Sequence, residues 1–291
     1  MTFVIFGPTG SGKTDAAVKL AEYFNAPIIN ADAFQIYKDM NIGTNKIKES
    51  DPMYKNHYLI DIKTPEESYS VKEYQDDFRK VYVELKKKYK HIIIAGGTGL
   101  YIRAALFDYS FLEEEESHND YSSFSNEELY EKLKLLDKEA AEKIHVNNRK
   151  RVIRALDLIS SSGMKKSDII ASQEHKLIYD NIYFFFLNPD RDSLYENINK
   201  RVDKMIEEGL VEEVKNLKEK YQLSTTSYQA IGYKEILEYL DGKYSLEEAI
   251  ELIKKRTRNY AKRQVTFFKN QFESQIFSSK EALIEEIKKY D

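Results

Sequence analysis

The sequence FGPTGSGKT at residues 6–14 is the strongest indication of how this chain folds. The apolar segment TFVIF precedes it at 2–6, and residues 15–24 follow it with apolar side chains at helical spacing. The stretch matches the pattern G-x-x-x-x-G-K-[ST] at Gly7, Gly12, Lys13 and Thr14. A strand, a loop of small residues and a helix in this order predict a phosphate-binding loop, because backbone amides and the helix N-terminus then point at phosphate oxygens. An ordinary strand-to-helix turn is the alternative.

The loop alone does not identify the reaction. Lys13 supplies a full positive charge, and the Thr14 hydroxyl can ligate Mg²⁺. Nucleotide hydrolases with such a loop also need an acidic metal ligand at the end of another strand. Here the apolar strand HIIIAGG at 91–97 continues into TGLY rather than into an aspartate. Its glycines let the backbone come close to a ligand, and Thr98 adds a hydroxyl there.

The composition limits the class of protein. A chain of 291 residues with 42% hydrophobic residues can form a substantial core with one inserted or appended lobe. No segment approaches the roughly 20 apolar residues of a membrane span. The absence of cysteine excludes disulfides, a thiolate nucleophile and a cysteine-ligated zinc site. The first residues carry no basic leader or cleavage site, so we expect no secretory signal and a cytoplasmic protein.

One segment reverses the acidic balance of the chain. The formal net charge is −4, but residues 254–272 contain seven Lys or Arg residues and no Asp or Glu. A solvated helix face is the ordinary explanation of a charge run. The complete absence of acids in a chain with 49 of them favours a surface that attracts a polyanion. The five histidines show no metal-ligand spacing.

Alternation of strands and helices predicts the fold class. PIINAD at 27–32 and HIIIAGG at 91–97 are predicted strands, and 70–90 is a predicted helix between them. The prediction is an α/β fold: a P-loop-containing parallel sheet wrapped by helices. Ligands bind at the carboxyl ends of such strands, so we expect the P-loop, the NAD end of the second strand and AGGTG to converge.

The second half predicts a helical insertion domain at 111–180. The acidic and serine-rich residues 110–126 are typical of a mobile connection. Ser125 and Glu128 predict a capping box for a helix to about 144, and a second helix is expected at about 147–160. IYFFFLN at 182–188 returns to the sheet, so the catalytic core is predicted as 1–110 with 181–291. The helices expected after it are 191–221, 228–240 and 245–272.

The order of the remaining motifs carries a resemblance to a known family. After the P-loop come DAFQIY at 32–37, NIGTNK at 41–46, HYLID at 57–61, SVKEY at 70–74, AGGTGLY at 95–101, NNRKRVIRAL at 147–156, QAIGYK at 229–234 and KRQVTFF at 262–268. This series resembles bacterial tRNA dimethylallyltransferases, also called tRNA isopentenyltransferases, from Phe6 to about Phe268. The departures from the family pattern are Ala33, Ile47, Asn56 and Asn197.

The resemblance implies a reaction and its participants. Dimethylallyl diphosphate would donate its five-carbon group to the exocyclic amine of the adenosine just 3′ of the tRNA anticodon, releasing diphosphate. The implied partner is the tRNA anticodon stem-loop, and the implied cofactor is Mg²⁺, held by Thr14. The diphosphate would be bound by Gly7, Thr9, Gly10, Ser11, Gly12, Lys13 and Thr14.

Three residues are the candidate catalytic groups. Asp32 would accept the proton of the amine, since the lone pair of an adenine amine is delocalised into the ring. Its alternative roles are helix capping and metal ligation. Thr98 would bind the diphosphate or orient it, unless it is only a turn residue. Arg201 would add a cation there, unless it is a surface residue paired with an acid such as Glu208.

The adenine of the target nucleotide must leave its stack in the anticodon loop to reach the site, as in other base-modifying enzymes. Arg151 and Arg154 lie three residues apart and would share a helix face. Phe34 is either a base contact or core. The complete predicted tRNA-binding set is Asp32, Ala33, Phe34, Gln35, Gly99, Arg151, Arg154, Lys262, Arg263, Gln264 and Phe267.

Three other functions stay open at this point. A P-loop small-molecule kinase would share the loop and the sheet. A free-nucleotide isopentenyltransferase, acting on AMP or ATP, would keep Asp32 but would not need Arg151 and Arg154. A non-enzymatic RNA-binding module is the third. No zipper or exposed apolar repeat indicates a dimer, so we expect a monomer.

Overall fold

The computed structural model describes residues 1–109, 111, 119–172 and 175–291. Part of the connection predicted at 110–126 lies outside these residues. The chain divides into two compact units: Met1–Ala105 with Tyr179–Asp291, and Leu106–Ile178.

The first unit is built on a six-stranded parallel sheet. The strands are β1 (Thr2–Phe6), β2 (Ile28–Asn30), β3 (His57–Tyr58), β4 (Ile92–Gly96), β5 (Ile182–Leu187) and β6 (Gln275–Phe277). Their order is β3-β2-β4-β1-β5-β6, and every pair is parallel. The α/β prediction is confirmed. All five residues of β1 are buried, as expected for a central strand covered on both faces.

Thirteen α-helices lie in the described part of the chain. They are α1 (Lys13–Phe24), α2 (Val71–Lys86), α3 (Gly99–Leu106), α4 (Asn126–Leu136), α5 (Lys138–Glu142), α6 (Arg149–Ser162), α7 (Lys166–Ser172), α8 (Arg191–Glu207), α9 (Leu210–Lys220), α10 (Thr225–Tyr228), α11 (Tyr233–Leu240), α12 (Leu246–Gln271) and α13 (Lys280–Lys288). A short 3₁₀ helix covers Pro52–Asn56. No helix among the described residues is both long and apolar enough to cross a membrane.

Aromatic packing holds α12 against the centre of the sheet. The ring of Phe268 lies 4.8 Å from that of Phe6 on β1 and 5.6 Å from that of Phe186 on β5. Phe6 and Phe186 are themselves stacked at 5.4 Å. Burial of such rings contributes several kcal/mol through apolar area alone. The basic helix is therefore anchored beside the carboxyl ends of β1 and β5.

Two predicted helices are each divided in two, and the helix predicted at 228–240 begins later, at Tyr233. The helix expected to reach about 144 ends at Leu136, because the Asp137 side chain accepts a hydrogen bond from Ala140 N at 3.0 Å and caps α5. Gly209, with φ of 98°, separates α8 from α9. Gly232, with φ of 97°, precedes α11. The sequence did not predict β3, β6 and α13. The two strands are short, with two residues in β3 and three in β6.

The second unit is helical in its described part. The capping box predicted for Ser125 and Glu128 is confirmed: each side chain binds the other residue's backbone amide. Gly163 ends α6 in the left-handed conformation, as expected from its place after the serines. Apolar side chains of α4, α5 and α6 form one core, which includes Leu129, Leu133, Ala141, Val152, Ala155 and Leu156.

Candidate active site

The loop between β1 and α1 has the conformation that a phosphate-binding loop needs. Gly10 and Gly12 have positive φ of 81° and 89°, and a Cβ on Gly7 would lie 2.3 Å from the Leu187 carbonyl oxygen. No side chain caps the N-terminus of α1, so its first amides are left for a ligand. The Ser11 hydroxyl is buried and has no hydrogen-bond partner in the part of the chain that the structure describes. These orphaned donors fit an anion with several oxygens.

Two cations meet at this loop. Lys13 Nζ donates to the Pro8 carbonyl at 3.3 Å, and Arg201 Nη1 donates to Thr9 Oγ1 at 3.1 Å. Burial lowers the pKa of Lys13 to about 8, against the opposing effect of the Asp32 charge. Burial also lowers the pKa of Arg201. Arg201 is thus not the surface partner of Glu208 considered above; Lys204 takes that place.

Asp32 follows β2 in a turn that its own side chain stabilises. Its Oδ1 accepts from the Phe34 amide at 3.0 Å, and Asn30 bonds to both the amide and the carbonyl of Asp32 at 3.1 Å. These bonds fix the direction of the carboxylate. Local capping, one of the alternative roles, uses one oxygen; within the described structure Oδ2 has no hydrogen-bond partner and remains available as an acceptor.

Lys13, Arg201 and Asp32 line the same two cavities. The larger has a volume of about 270 Å³ and the smaller about 50 Å³. Both are lined by Thr9, Lys13, Asp32, Thr44 and Arg201. The sequence predicted that the P-loop and the end of β2 converge, and the shared cavity walls confirm it.

One side of the larger cavity is apolar. Helices α8 and α12 and the turn before α11 contribute Ile198, Val202, Met205, Ala230, Ile231 and Ile253 to its wall. Among the described residues, Asp32 is the only acid on the wall of the larger cavity. The cavity therefore combines an anion cradle, a carboxylate and room for a small hydrocarbon group.

Gln264 joins the P-loop to β4. Its Oε1 accepts from the Thr9 amide at 2.9 Å, and its Nε2 donates to the Gly97 carbonyl at 2.8 Å. The sequence predicted a tRNA contact for this residue, but its buried amide group binds protein backbone. Gly99, another predicted tRNA contact, lies directly against Phe267, since a Cβ at position 99 would be 2.5 Å from the Phe267 ring. Gln264 therefore fixes the P-loop against the segment that follows β4.

Thr98 also acts on the turn after β2. Its Oγ1 accepts a hydrogen bond from the Ala33 amide at 3.1 Å, and its own amide donates to the Ala31 carbonyl at 3.0 Å. Thr98 is on neither cavity wall. The described contacts therefore connect it to Asp32 through the backbone of the turn.

Tyr260 on α12 lies on the larger cavity, a position that the basic composition of the helix did not indicate. Burial and the charge of Asp32 raise the pKa of Tyr260 to about 12, so the phenol is protonated at neutral pH. The Arg263 guanidinium lies 5.7 Å from its ring centre.

The basic stretch 254–272 has two parts. In the first, Lys254 pairs with Asp203 at 2.8 Å, Arg256 pairs with the buried Glu235, and Arg258 bonds to Asn199 at 2.6 Å. In the second, the side chains of Lys262, Arg263 and Lys269 are exposed. The cations of the first part are thus mostly bound to other side chains, whereas Lys262, Arg263 and Lys269 of the second part are exposed to solvent.

The second unit contains the other predicted RNA-binding cations. Arg151 and Arg154 are exposed on α6. Arg149, on the same helix, donates instead to the carbonyls of Phe124 at 2.8 Å and Tyr121 at 2.5 Å. The neighbouring arginines of this helix thus have different surroundings.

A metal site made of protein carboxylates or imidazoles is not found in the described residues. Thr14 is on the wall of the smaller cavity with Lys13 and Asp32. A divalent ion there would take most of its ligands from diphosphate and water, which is the usual way for Mg²⁺ to bind beside a P-loop.

Comparison with known proteins assigns the family. The profile of the family described as IPP transferase matches residues 35–271. A tRNA dimethylallyltransferase of Bacillus licheniformis is 46% identical over 277 residues, 93% of this chain and 88% of that protein. The corresponding protein of Anoxybacillus flavithermus is 44% identical, over 94% of this chain and 89% of its own length.

Solved structures agree with the sequence comparisons. The tRNA Δ(2)-isopentenylpyrophosphate transferase of Staphylococcus epidermidis has a TM-score of 0.70 and 37% identity, covering 99% of this chain and 98% of its own. A eukaryotic dimethylallyltransferase described as acting on tRNA has a TM-score of 0.80 and 30% identity, covering 96% and 74%. The resemblance noted in the motifs is confirmed: the chain belongs to the IPP transferase family.

Proposed function

We propose that the protein transfers the dimethylallyl group of dimethylallyl diphosphate to the exocyclic amine of the adenosine 3′-adjacent to the tRNA anticodon. The observation that carries the proposal is the larger cavity, where Asp32 lies with Lys13 and Arg201 beside an apolar wall. Family membership and the names of the relatives support it. They favour it over a P-loop kinase, which needs no hydrocarbon pocket.

The P-loop would hold the leaving group. The amides at the start of α1, the Ser11 hydroxyl, Lys13 and Arg201 would bind the diphosphate oxygens as negative charge develops on them. Mg²⁺, with Thr14 as a ligand, would supply further charge neutralisation. The apolar wall would bind the dimethylallyl group and keep water from its reacting carbon.

Asp32 would act as the base. The amine nitrogen forms a bond to C1 of the dimethylallyl group while the bond from C1 to the diphosphate oxygen breaks. The amine proton passes to Asp32, whose Oδ1 is fixed by the Phe34 amide and whose Oδ2 is free to accept it. Gln264 and Thr98 would keep the P-loop and the Asp32 turn in register.

Exposed cations would bind the RNA backbone. The candidates are Lys262 and Arg263 on α12, and Arg151 and Arg154 on α6, with Phe34 and Gln35 next to Asp32 on the base side. We assign the helical unit to tRNA contact on the same basis. An enzyme with this activity would meet its tRNA substrate in the cytoplasm.

A labelled-transfer assay tests the proposal. Unmodified tRNA, MgCl₂ and dimethylallyl diphosphate labelled in the hydrocarbon are incubated with the protein, and AMP and ATP replace tRNA in parallel. We expect label in tRNA alone. Label on AMP or ATP but not on tRNA would establish the free-nucleotide alternative instead.

The variant Asp32→Asn tests the base. It keeps the size of the side chain and an acceptor for the Phe34 amide, but it cannot take a proton at neutral pH. We expect transfer to fall by about 10²–10⁴-fold with tRNA affinity nearly unchanged. Loss of tRNA binding with unchanged turnover at saturation would show that Asp32 binds the RNA rather than acting as the base.

A further inference from the structure

We propose that Glu213 is a positioning residue for the transfer reaction: it holds residues 41–44 as a closed wall of the larger cavity. This inference rests on the proposed function. Glu213 lies on α9 and is not part of the wall of either cavity that contains Asp32. Any effect on the reaction must therefore pass through the groups that its carboxylate binds.

The carboxylate accepts hydrogen bonds from three consecutive backbone amides. Oε2 accepts from Asn41 N at 3.1 Å and from Ile42 N at 2.8 Å, and Oε1 accepts from Gly43 N at 3.2 Å. Successive amides that converge on one anion fix the local backbone, because the three bonds together hold three consecutive peptide planes. Hydrogen bonds to a charged acceptor are also about twice as strong as neutral ones.

Tyr233 completes the clamp from the other side. Its hydroxyl donates to Glu213 Oε1 at 2.6 Å, and its ring lies against Gly43, where an added Cβ would be 2.4 Å from a ring carbon. Burial, with a smaller effect of the nearby Glu213 charge, raises the pKa of Tyr233 well above its ordinary value, so the hydroxyl remains a donor. Only glycine fits at 43 in this arrangement.

The clamped segment is part of the site. Gly43 and Thr44 line the larger cavity with Asp32, and Tyr233 lies on the same wall. The Thr44 carbonyl also accepts from Gln35 Nε2 at 3.2 Å. A shift of residues 41–44 would therefore open the wall and release Gln35, three residues after the proposed base.

The substitution Glu213→Gln tests the clamp with little change in size. Each carboxylate oxygen faces two donors, so either orientation of a glutamine amide places its NH₂ against donors. We expect a loss of about tenfold in kcat/KM for transfer, the cost of one or two buried hydrogen bonds. Glu212→Gln is the matched control, because Glu212 is the exposed neighbour on α9.

The decisive readout is the ratio of two products. If the wall opens, water can attack C1 of the dimethylallyl group as the bond from C1 to diphosphate breaks, giving dimethylallyl alcohol, diphosphate and a proton. We measure alcohol relative to labelled tRNA in the same reaction. This ratio does not depend on the fraction of protein that is folded, so simple destabilisation leaves it unchanged. We expect the ratio of alcohol to labelled tRNA to rise in Glu213→Gln and in Tyr233→Phe. In the double variant, the rise should be no larger than the effects of the two single variants combined.

The outcomes separate this inference from the proposed function. Wild-type protein that does not label tRNA would overturn the function. Wild-type protein that does label tRNA, with Glu213→Gln giving the same alcohol-to-tRNA ratio as Glu212→Gln, would overturn the positioning role. An increased ratio in Glu213→Gln, with the wild-type ratio in Glu212→Gln, supports it.

Discussion

The cations of the cavity and the cations of the second part of α12 have the same charge and opposite surroundings. Lys13 and Arg201 are enclosed beside Asp32, and Arg201 is fixed by Thr9. Lys262 extends into solvent, and Arg263 is exposed as well although it also reaches the wall of the larger cavity. Burial makes a cation sensitive to pH and to geometry, whereas exposure makes it sensitive to salt. The two groups should therefore respond to different experiments if one binds diphosphate and the other RNA.

Among the cations of these two groups, the largest effect is expected at Arg201. Arg201→Ala removes a fixed cation from an enclosed site, so kcat should fall about 10²–10³-fold at saturating tRNA, as for other donors to a developing anion. Steady-state kinetics with both substrates varied measure it. Lys200→Ala is the control, because Lys200 is the next residue on α8 and its exposed side chain pairs with Glu196. Equal losses in both variants would contradict a specific role for Arg201.

Arg256, in the first part of α12, belongs to neither group. Its partner Glu235 has only 1% of its side chain exposed, although Arg256 itself is 40% exposed. Arg256→Ala should lower the free energy of unfolding by about 2–4 kcal/mol, since it leaves a buried carboxylate with only the Gly232 amide. Urea denaturation measures the change. Lys255→Ala should alter it by less than about 0.5 kcal/mol.

The local motifs were sufficient to predict part of this picture. Gly7, Gly12, Lys13 and Thr14 lie close enough in sequence to specify a loop. Asp32 ends a predicted strand whose carboxyl end was expected to meet that loop. The clamp on residues 41–44 could not be inferred, because Glu213 is about 170 positions away and lies on an ordinary amphipathic helix. Gln264 was predicted as a tRNA contact from the family resemblance of KRQVTFF at 262–268, and only the tertiary structure shows its backbone contacts.

The same limit explains the helix boundaries. The apolar pattern continues through Asp137, and periodicity alone gave no reason to end a helix there. The Asp137 side chain accepts from both Ala140 N and Ser167 N, and the second bond joins positions 30 residues apart. A cap of this kind is recognised from three-dimensional contacts, since Asp also occurs within helices.

A pH titration should distinguish the cavity lysine from the surface cations. The pKa of Lys13 is about 8, so the lysine is mostly charged at pH 7 and mostly neutral at pH 9. A diphosphate binds the charged form, and its affinity should therefore fall as pH rises through 8, approaching tenfold per pH unit above it. Calorimetry with inorganic diphosphate and Mg²⁺ measures the affinity. Lys13→Arg keeps its charge and should give a nearly flat profile, so an equally steep profile in that variant would assign the titration to another group.

The smallest effect is expected at the surface of α12, and salt is what reveals it. Lys262→Ala should weaken tRNA binding only a few-fold at physiological salt, but it should reduce the slope of log Kd against log salt by about 0.7–0.9, the value for one phosphate contact. Lys255 lies seven residues earlier, about two turns along α12, so it samples the first part of the helix on the same side. If Lys255→Ala reduces the slope equally, the RNA follows the whole helix and the division of α12 into two parts is wrong. If only Lys262→Ala reduces the slope, the phosphate contacts are confined to the end of α12 that carries Gln264. The exposed side of one helix then binds the RNA, while its buried side fixes the diphosphate loop.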